Sequence, residues 1–136
     1  MNVCRINEEQ ILAVYFIGTS SALNTSEIRA TVITFKDGQV TVGTESTLVK
    51  GQDQNLGCLC VKAINENKFI MTYYALTDDL PYGAIITVTD TISIGYSYTL
   101  YKPNGLDGYR AIDMTVLTST TVLLAASIIT GSASSS

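Results

Sequence analysis

The sequence contains an internal repeat: one segment occurs twice, and a third, weaker copy follows. Residues 6–16 (INEEQILAVYF) return as residues 64–74 (INENKFIMTYY), and residues 117–127 (LTSTTVLLAAS) keep part of the pattern. The copies begin at residues 6, 64 and 117, so they are 58 and 53 residues apart. A period of this size is typical of repeat architectures, in which each copy forms one supersecondary unit.

Each full copy is predicted to form four antiparallel strands, a to d, because its runs of Val, Ile, Thr and Tyr favour β-structure. Strand a covers residues 2–6, 58–64 and 111–117, and strand b covers 10–17, 68–75 and 121–129. Strand c covers 27–35 and 83–89, and strand d covers 39–49 and 91–101. No stretch keeps a helical period of apolar residues, so the sequence predicts essentially no helix.

The sequence predicts a single all-β repeat domain over residues 1–130, with copies at about 1–57 and 58–110 and a partial copy at 111–130. The Ser-rich residues 131–136 are predicted to form a flexible tail. Ten strands make two and a half units, and a lone unit cannot bury both of its faces. Three arrangements stay open: several chains complete one ring, the chain belongs to a larger ring, or the ten strands form a β-sandwich or barrel.

The composition argues against several classes of protein. Of the 136 residues 46% are hydrophobic and only 15% are charged, and the net charge is −4. Without a basic patch to neutralise phosphates, no nucleic-acid partner is expected. No apolar run approaches the roughly 20 residues of a membrane-spanning helix, so no membrane partner is expected. Glu8 and Glu9 stand where a signal peptide would be positive, which predicts synthesis in the cytoplasm without one.

Residues suited to catalysis or metal binding are few. The chain has no histidine, so the Ser-His-Asp and Cys-His arrangements are absent. Most of its aspartates fall in predicted turns, where Asp bonds the local backbone. The cysteines, Cys4, Cys58 and Cys60, are expected to be reduced thiols packed as small apolar groups. The sequence therefore predicts no enzyme, no metal site and no cofactor.

Tyrosines are concentrated in the second copy and its exit. Seven of the 8 tyrosines lie between residues 73 and 109. A rigid ring with a polar tip suits contact with sugar or protein, but it also suits cross-strand packing. If the chain has a binding face, we expect it around the loop between strands b and c, at Tyr74, Asp78, Asp79 and Tyr82. Alternation also places Tyr96 and Tyr98 on one face of strand d.

Three pieces of the second copy, FIMTY (69–73), YGAII (82–86) and DTISIG (90–95), resemble β-propeller blades. The resemblance is strongest to degenerate blade repeats of bacteriophage tail-fibre and other virion-surface proteins. It implies a propeller-like, non-enzymatic structural or adhesion module that is exposed on a virion and takes part in host attachment. The implied partners are further copies of the chain or other virion proteins. The alternative function is a carbohydrate-binding, lectin-like module for a cell-surface glycan. Propeller lectins that build a ring from two-blade chains bind sugar through tryptophan, however, and this chain has none.

Overall fold

A computed structural model of the protein describes residues 1–18, 27–50, 56–75, 80–100 and 108–129. Within these ranges the regular structure consists of β-strands alone, and every strand pair is antiparallel, so the predicted all-β class is confirmed. None of the sheets formed by the described strands closes on itself. The predicted tail at 131–136 lies outside the described residues.

The strands form two five-stranded sheets and one hairpin. The first sheet contains β1 (Asn2–Arg5), β2 (Gln10–Ile17), β3 (Glu27–Lys36), β4 (Gln39–Val42) and β5 (Ser46–Lys50). The second sheet contains β6 (Leu56–Ala63), β7 (Lys68–Ala75), β8 (Leu80–Val88), β9 (Ile92–Ile94) and β10 (Tyr98–Thr99). The third unit is the hairpin of β11 (Gly108–Thr118) and β12 (Thr121–Ile129).

The prediction of one continuous strand d in each full copy is wrong. Strand d is divided into β4 and β5 in the first sheet and into β9 and β10 in the second, and both pieces pair with strand c. The breaks lie at Gly43 and Gly95, whose amides donate to the carbonyls of Val32 and Ile85 at 2.8 and 2.9 Å. A Cβ atom on Gly43 would lie 3.1 Å from that carbonyl oxygen, so glycine permits the close approach that ends the ladder.

The turn between strands a and b is built in the same way in both full copies. The Asn7 Oδ1 atom accepts a hydrogen bond from the Glu9 amide at 2.9 Å, and the Asn65 Oδ1 atom accepts one from the Asn67 amide at 3.1 Å. Asparagine favours such turns because its side chain can mimic a backbone acceptor. The sequence repeat is therefore also a repeat of structure.

The first two sheets pack face to face, and the hairpin follows in chain order with β11 against β6 and β7 of the second sheet. We call the side of a unit that points to the next unit its forward face, and the opposite side its rear face. Residues paired directly across two strands share a face, so register assigns the faces. The main core lies between the forward face of the first sheet and the rear face of the second, and contains Leu12, Val14, Ile28, Ala30, Val61, Phe69, Met71, Ala84 and Ile86. A smaller cluster of Tyr74, Ile112 and Cys58 joins the second sheet to the hairpin.

Strand a of each unit contacts strand a of the next, β1 against β6 and β6 against β11. The Cys4 thiol donates to the Val61 carbonyl at 3.0 Å across the first junction. Across the second, the Cys60 thiol donates to the Asp113 carboxylate at 3.4 Å. The two junctions therefore use the same strand, although the bonded groups differ.

Candidate functional site

The register of the second sheet separates the two tyrosines of the predicted binding face. Tyr73 pairs with Tyr82, and Tyr74 pairs with Pro81. Because paired residues share a face and neighbouring residues alternate, Tyr74 and Tyr82 point to opposite faces of the sheet. The structure does not bring these two side chains together.

Each of these tyrosines has a packing contact of its own. The Tyr74 side chain is 2% exposed and lies with Ile112 at the junction with the hairpin. The half-buried Tyr82 ring stacks on Tyr73 with 5.4 Å between the ring centroids. Asp78 and Asp79 lie outside the described residues. A binding role for this set of four residues stays a prediction, and the buried Tyr74 ring offers almost no surface to a ligand.

Tyr96 and Tyr98 form an exposed aromatic pair. Their rings meet edge to face with 5.0 Å between the centroids, at the break between β9 and β10. Both side chains are largely exposed to solvent. Edge-to-face contact is a favoured geometry for aromatic rings. The pair therefore presents an exposed aromatic surface with two hydroxyl groups.

A groove of about 490 Å³ lies between the outer strands of the first sheet and the turn that joins β8 to β9. Its lining is rich in hydroxyl groups, with one amide, one carboxylate and several aliphatic side chains. The polar lining residues are Gln10, Thr34, Thr41, Thr44, Ser46, Thr89, Asp90 and Thr91, and the others are Val32, Val42, Gly43, Val88 and Ile92. Hydroxyl groups both donate and accept hydrogen bonds, so the lining matches a neutral, hydroxyl-rich ligand.

Several groups of the groove are held by bonds within the protein. The Gln10 amide donates to the Thr34 hydroxyl at 3.3 Å, which links β2 to β3. The Thr89 hydroxyl donates to the Thr91 carbonyl at 3.4 Å within the turn. No lysine, arginine or histidine belongs to the lining. An anionic ligand would therefore meet Asp90 without a compensating positive charge.

Sequence reasoning missed this groove because its walls come from distant parts of the chain. One wall belongs to the first sheet and the other to the second, and only the packing of the two units brings them together. The available signal was the richness of strands c and d in Thr and Ser. That composition alone does not distinguish the wall of a site from an ordinary exposed sheet surface.

A charged cluster occupies the rear face of the first sheet. Arg29 forms ion pairs with Glu27 at 2.8 Å and with Glu45 at 3.0 Å, and the Tyr15 hydroxyl donates to Glu45. The hydrogen bond from Tyr15 and then the one from Arg29 lower the pKa of the Glu45 carboxyl. The pKa of Tyr15 is raised mainly by burial and next by its hydrogen bond to Glu45. One arginine and two glutamates give the cluster a net charge of −1, and each carboxylate has a donor within the protein.

The three cysteines are reduced thiols and form no disulfide with one another. Burial is the main cause that raises the pKa of each of them, and in Cys60 the bond to Asp113 raises it further. A raised pKa lowers the thiolate fraction and with it the reactivity. Among the described residues, no three His, Cys, Asp or Glu side chains are grouped so that they could hold a metal ion.

Among the described residues, the groove and the tyrosine pair are thus surfaces whose side chains suit contact with a ligand. In the part of the chain that the structure describes, no helix is long and apolar enough to cross a membrane. No family model, no curated protein and no solved structure matches the chain.

Proposed function

We propose that the chain is a non-enzymatic structural and adhesion module of a virion or other particle surface, built from propeller-like blades and assembled through its β-sheets. The observation that carries this proposal is the packing of three repeated β units in chain order, the first two face to face and the third through its strand β11. Such stacking creates a rigid body from short units, and its terminal units keep faces of the same kind available for a partner.

The blade geometry is supported by the order of the strands. In the first sheet the order is β1-β2-β3-β4, a meander of the kind found in propeller blades, and the second sheet repeats it with β6, β7 and β8. Successive units also meet through their first strands, as blades do around a central axis. A closed ring would need about four or more blades, so it requires strands beyond the described units.

Assembly is the first property to test. Light scattering coupled to size exclusion at micromolar concentration should give a mass well above the 14.6 kDa of one chain. Negative-stain images of the assembled fraction should show rings if the units behave as blades. A monomer under these conditions would contradict an assembling role. Neighbouring genes that encode capsid, portal or tail proteins would support the particle-surface role.

A second candidate function, carbohydrate binding, is favoured by the hydroxyl-rich groove. The aliphatic side chains of the groove and its mixture of hydrogen-bond donors and acceptors suit a sugar, and the exposed pair of Tyr96 and Tyr98 offers rings for stacking. The two functions are compatible, because an adhesion module needs a surface that recognises its receptor.

Glycan binding can be assigned to one of the two surfaces by substitution. A glycan array with the purified chain identifies a ligand, and titration then compares Asp90→Asn and Tyr98→Ala with the wild type. Glu66→Gln, which removes an exposed charge outside both surfaces, is the control. If the glycan binds in the groove, Asp90→Asn should lower the affinity at least tenfold and Tyr98→Ala should not, in line with the loss of a charged hydrogen bond. An array without a hit would remove this candidate.

A further inference from the structure

The rear face of β1 and the forward face of the hairpin are equivalent to faces that are buried elsewhere in the chain. We infer that these two faces join head to tail between copies, so that the hairpin of one chain stacks on β1 and β2 of a second chain. This inference rests on the proposed assembling function and specifies which surfaces carry it.

The rear face shows the equivalence in strand a. Val3, Val61 and Met114 occupy the same position in the three units, at the same spacings of 58 and 53 residues. Their paired residues in strand b, Ala13, Met71 and Leu124, keep the same spacings. Val61 and Met114 are 3% and 4% exposed because a preceding unit covers them, whereas Val3 is 49% exposed. The paired residues of strand b do not follow this relation, since Ala13 is 2% exposed and Leu124 is 38% exposed, so the open surface of the rear face is that of strand a.

The forward face shows the same relation in strand b. Leu12 and Leu123 occupy equivalent positions, and each points forward beside the strand a residues Cys4 and Thr115. Leu12 is completely buried by the second sheet, but Leu123 is 57% exposed. Thr115 stands at the position of Cys4, whose thiol donates to the backbone of the next unit. A threonine hydroxyl can make that bond equally well.

The partner of the hairpin is a second copy of the chain, because the rear face of the first unit is equivalent to the faces that cover such a surface within the chain. Within the chain, Val61 of the following unit packs into the core that contains Leu12. The corresponding residue on the first unit is Val3, which lies open on the rear face. A second chain can therefore place Val3 against Leu123 as Val61 is placed near Leu12.

The distribution of charge on the rear face fits a two-stranded partner. The apolar residues Val3 and Ala13 lie on β1 and β2 together with one exposed charge, Arg5, whose guanidinium donates to the Asn7 carbonyl at 3.0 Å. Arg29 and its partner Glu45 lie on and beyond β3. The hairpin has two strands, and it covers the β1–β2 half of the face. The ion pairs of Arg29 then remain at the margin, where solvent still reaches them.

A head-to-tail contact uses two different surfaces, so it either closes into a ring or continues as a filament. Two single variants test it: Val3→Glu places a charge on the rear face, and Leu123→Glu places one on the forward face. Val40→Glu changes an exposed valine at the far, β4 edge of the rear face, outside the β1–β2 half that the hairpin covers, and is the control. The masses of the species are measured by sedimentation velocity and native mass spectrometry at micromolar concentration.

The wild type and Val40→Glu should form assemblies, and each of the other variants alone should be monomeric. An equal mixture of Val3→Glu and Leu123→Glu should give a heterodimer and nothing larger, because each variant keeps one intact face and the two intact faces are complementary. Circular dichroism of each monomer confirms that it is folded.

Two outcomes overturn the inference while the proposed function stands: both variants assemble like the wild type, or the mixture stays monomeric although the wild type assembles. The inference is also overturned if Val3→Glu assembles and Leu123→Glu does not, because the hairpin would then pair with the hairpin of another chain. A monomeric wild type overturns the inference and the assembling role together.

Discussion

Thr72 and Val14 occupy equivalent positions in two successive repeats, and both side chains are buried. Among the described residues, no group forms a hydrogen bond with the Thr72 hydroxyl. A buried hydroxyl without a partner loses its hydration and gains nothing in return. We expect Thr72→Val to raise the free energy of unfolding by about 1 kcal/mol, measured by urea titration. Thr41→Val, at an exposed position, should change it by less than about 0.5 kcal/mol. A less stable Thr72→Val protein would show that the hydroxyl is bonded.

The core between the first two sheets should depend on Leu12. Truncation to alanine removes buried methyl groups and leaves a cavity, so Leu12→Ala should lower the free energy of unfolding by about 3 kcal/mol. The equivalent truncation Leu123→Ala removes exposed atoms, and should cost less than about 1 kcal/mol in dilute, monomeric protein. Equal effects of the two truncations would contradict the assignment of the core.

The two glycines at the breaks in strand d should differ in their tolerance of a methyl group. A Cβ atom would lie 3.1 Å from a backbone oxygen at Gly43 but 3.6 Å from one at Gly95. We therefore expect Gly43→Ala to lower the melting temperature by several degrees, the shift produced by about 1 kcal/mol in a chain of this size, and Gly95→Ala to change it less. Thermal unfolding followed by circular dichroism makes the comparison, and the reverse order would refute it.

The charged cluster around Glu45 predicts a loss of stability in acid. The pKa of the Glu45 carboxyl is lower in the folded protein than the ordinary value of 4.5, chiefly because of the hydrogen bond from Tyr15. A lowered pKa contributes stability that is present above the ordinary pKa and is lost as the pH falls through the folded pKa. The melting temperature of Glu45→Gln should therefore fall less between pH 5 and pH 3 than that of the wild type. Parallel curves for the two proteins would argue against this contribution.

The thiols should react slowly in the folded protein. Burial raises the pKa of all three, and Cys60 is also almost completely shielded from solvent. Iodoacetamide at about pH 7.5 should label Cys60 at least tenfold more slowly in native protein than in urea, because the thiolate is the reactive form. Peptide mass spectrometry identifies each labelled site. Rapid native labelling of Cys60 would mean that the hairpin opens readily.

Local patterns predicted most of the fold. The residue types of Asp37 and Gly38 predict a tight turn, and both adopt the positive φ values, 51° and 74°, that a tight hairpin requires. Strand b matched its predicted limits in all three copies, since its apolar run is bounded by polar turns. The break at Gly43 was missed because alternation continues through it, and only the approach to Val32 reveals it.

The candidate site could not be predicted to the same degree. The groove depends on how two units stack, and the exposure of Val3 against the burial of Val61 depends on which unit has a neighbour. Sequence alternation did indicate that Tyr96 and Tyr98 lie together. It could not indicate that Tyr74 is covered by Ile112, because that contact joins residues from different units.

The interrupted outer strands determine how the protein can meet its neighbours. β4, β9 and β10 contain only 4, 3 and 2 residues, and each sheet changes course at its glycine. A fibril-forming partner would need a long, straight row of free amides and carbonyls along this border, and the border supplies only short stretches. Growth of the sheet from this border of the first two units is consequently discouraged, and further subunits are directed to their broad flanks.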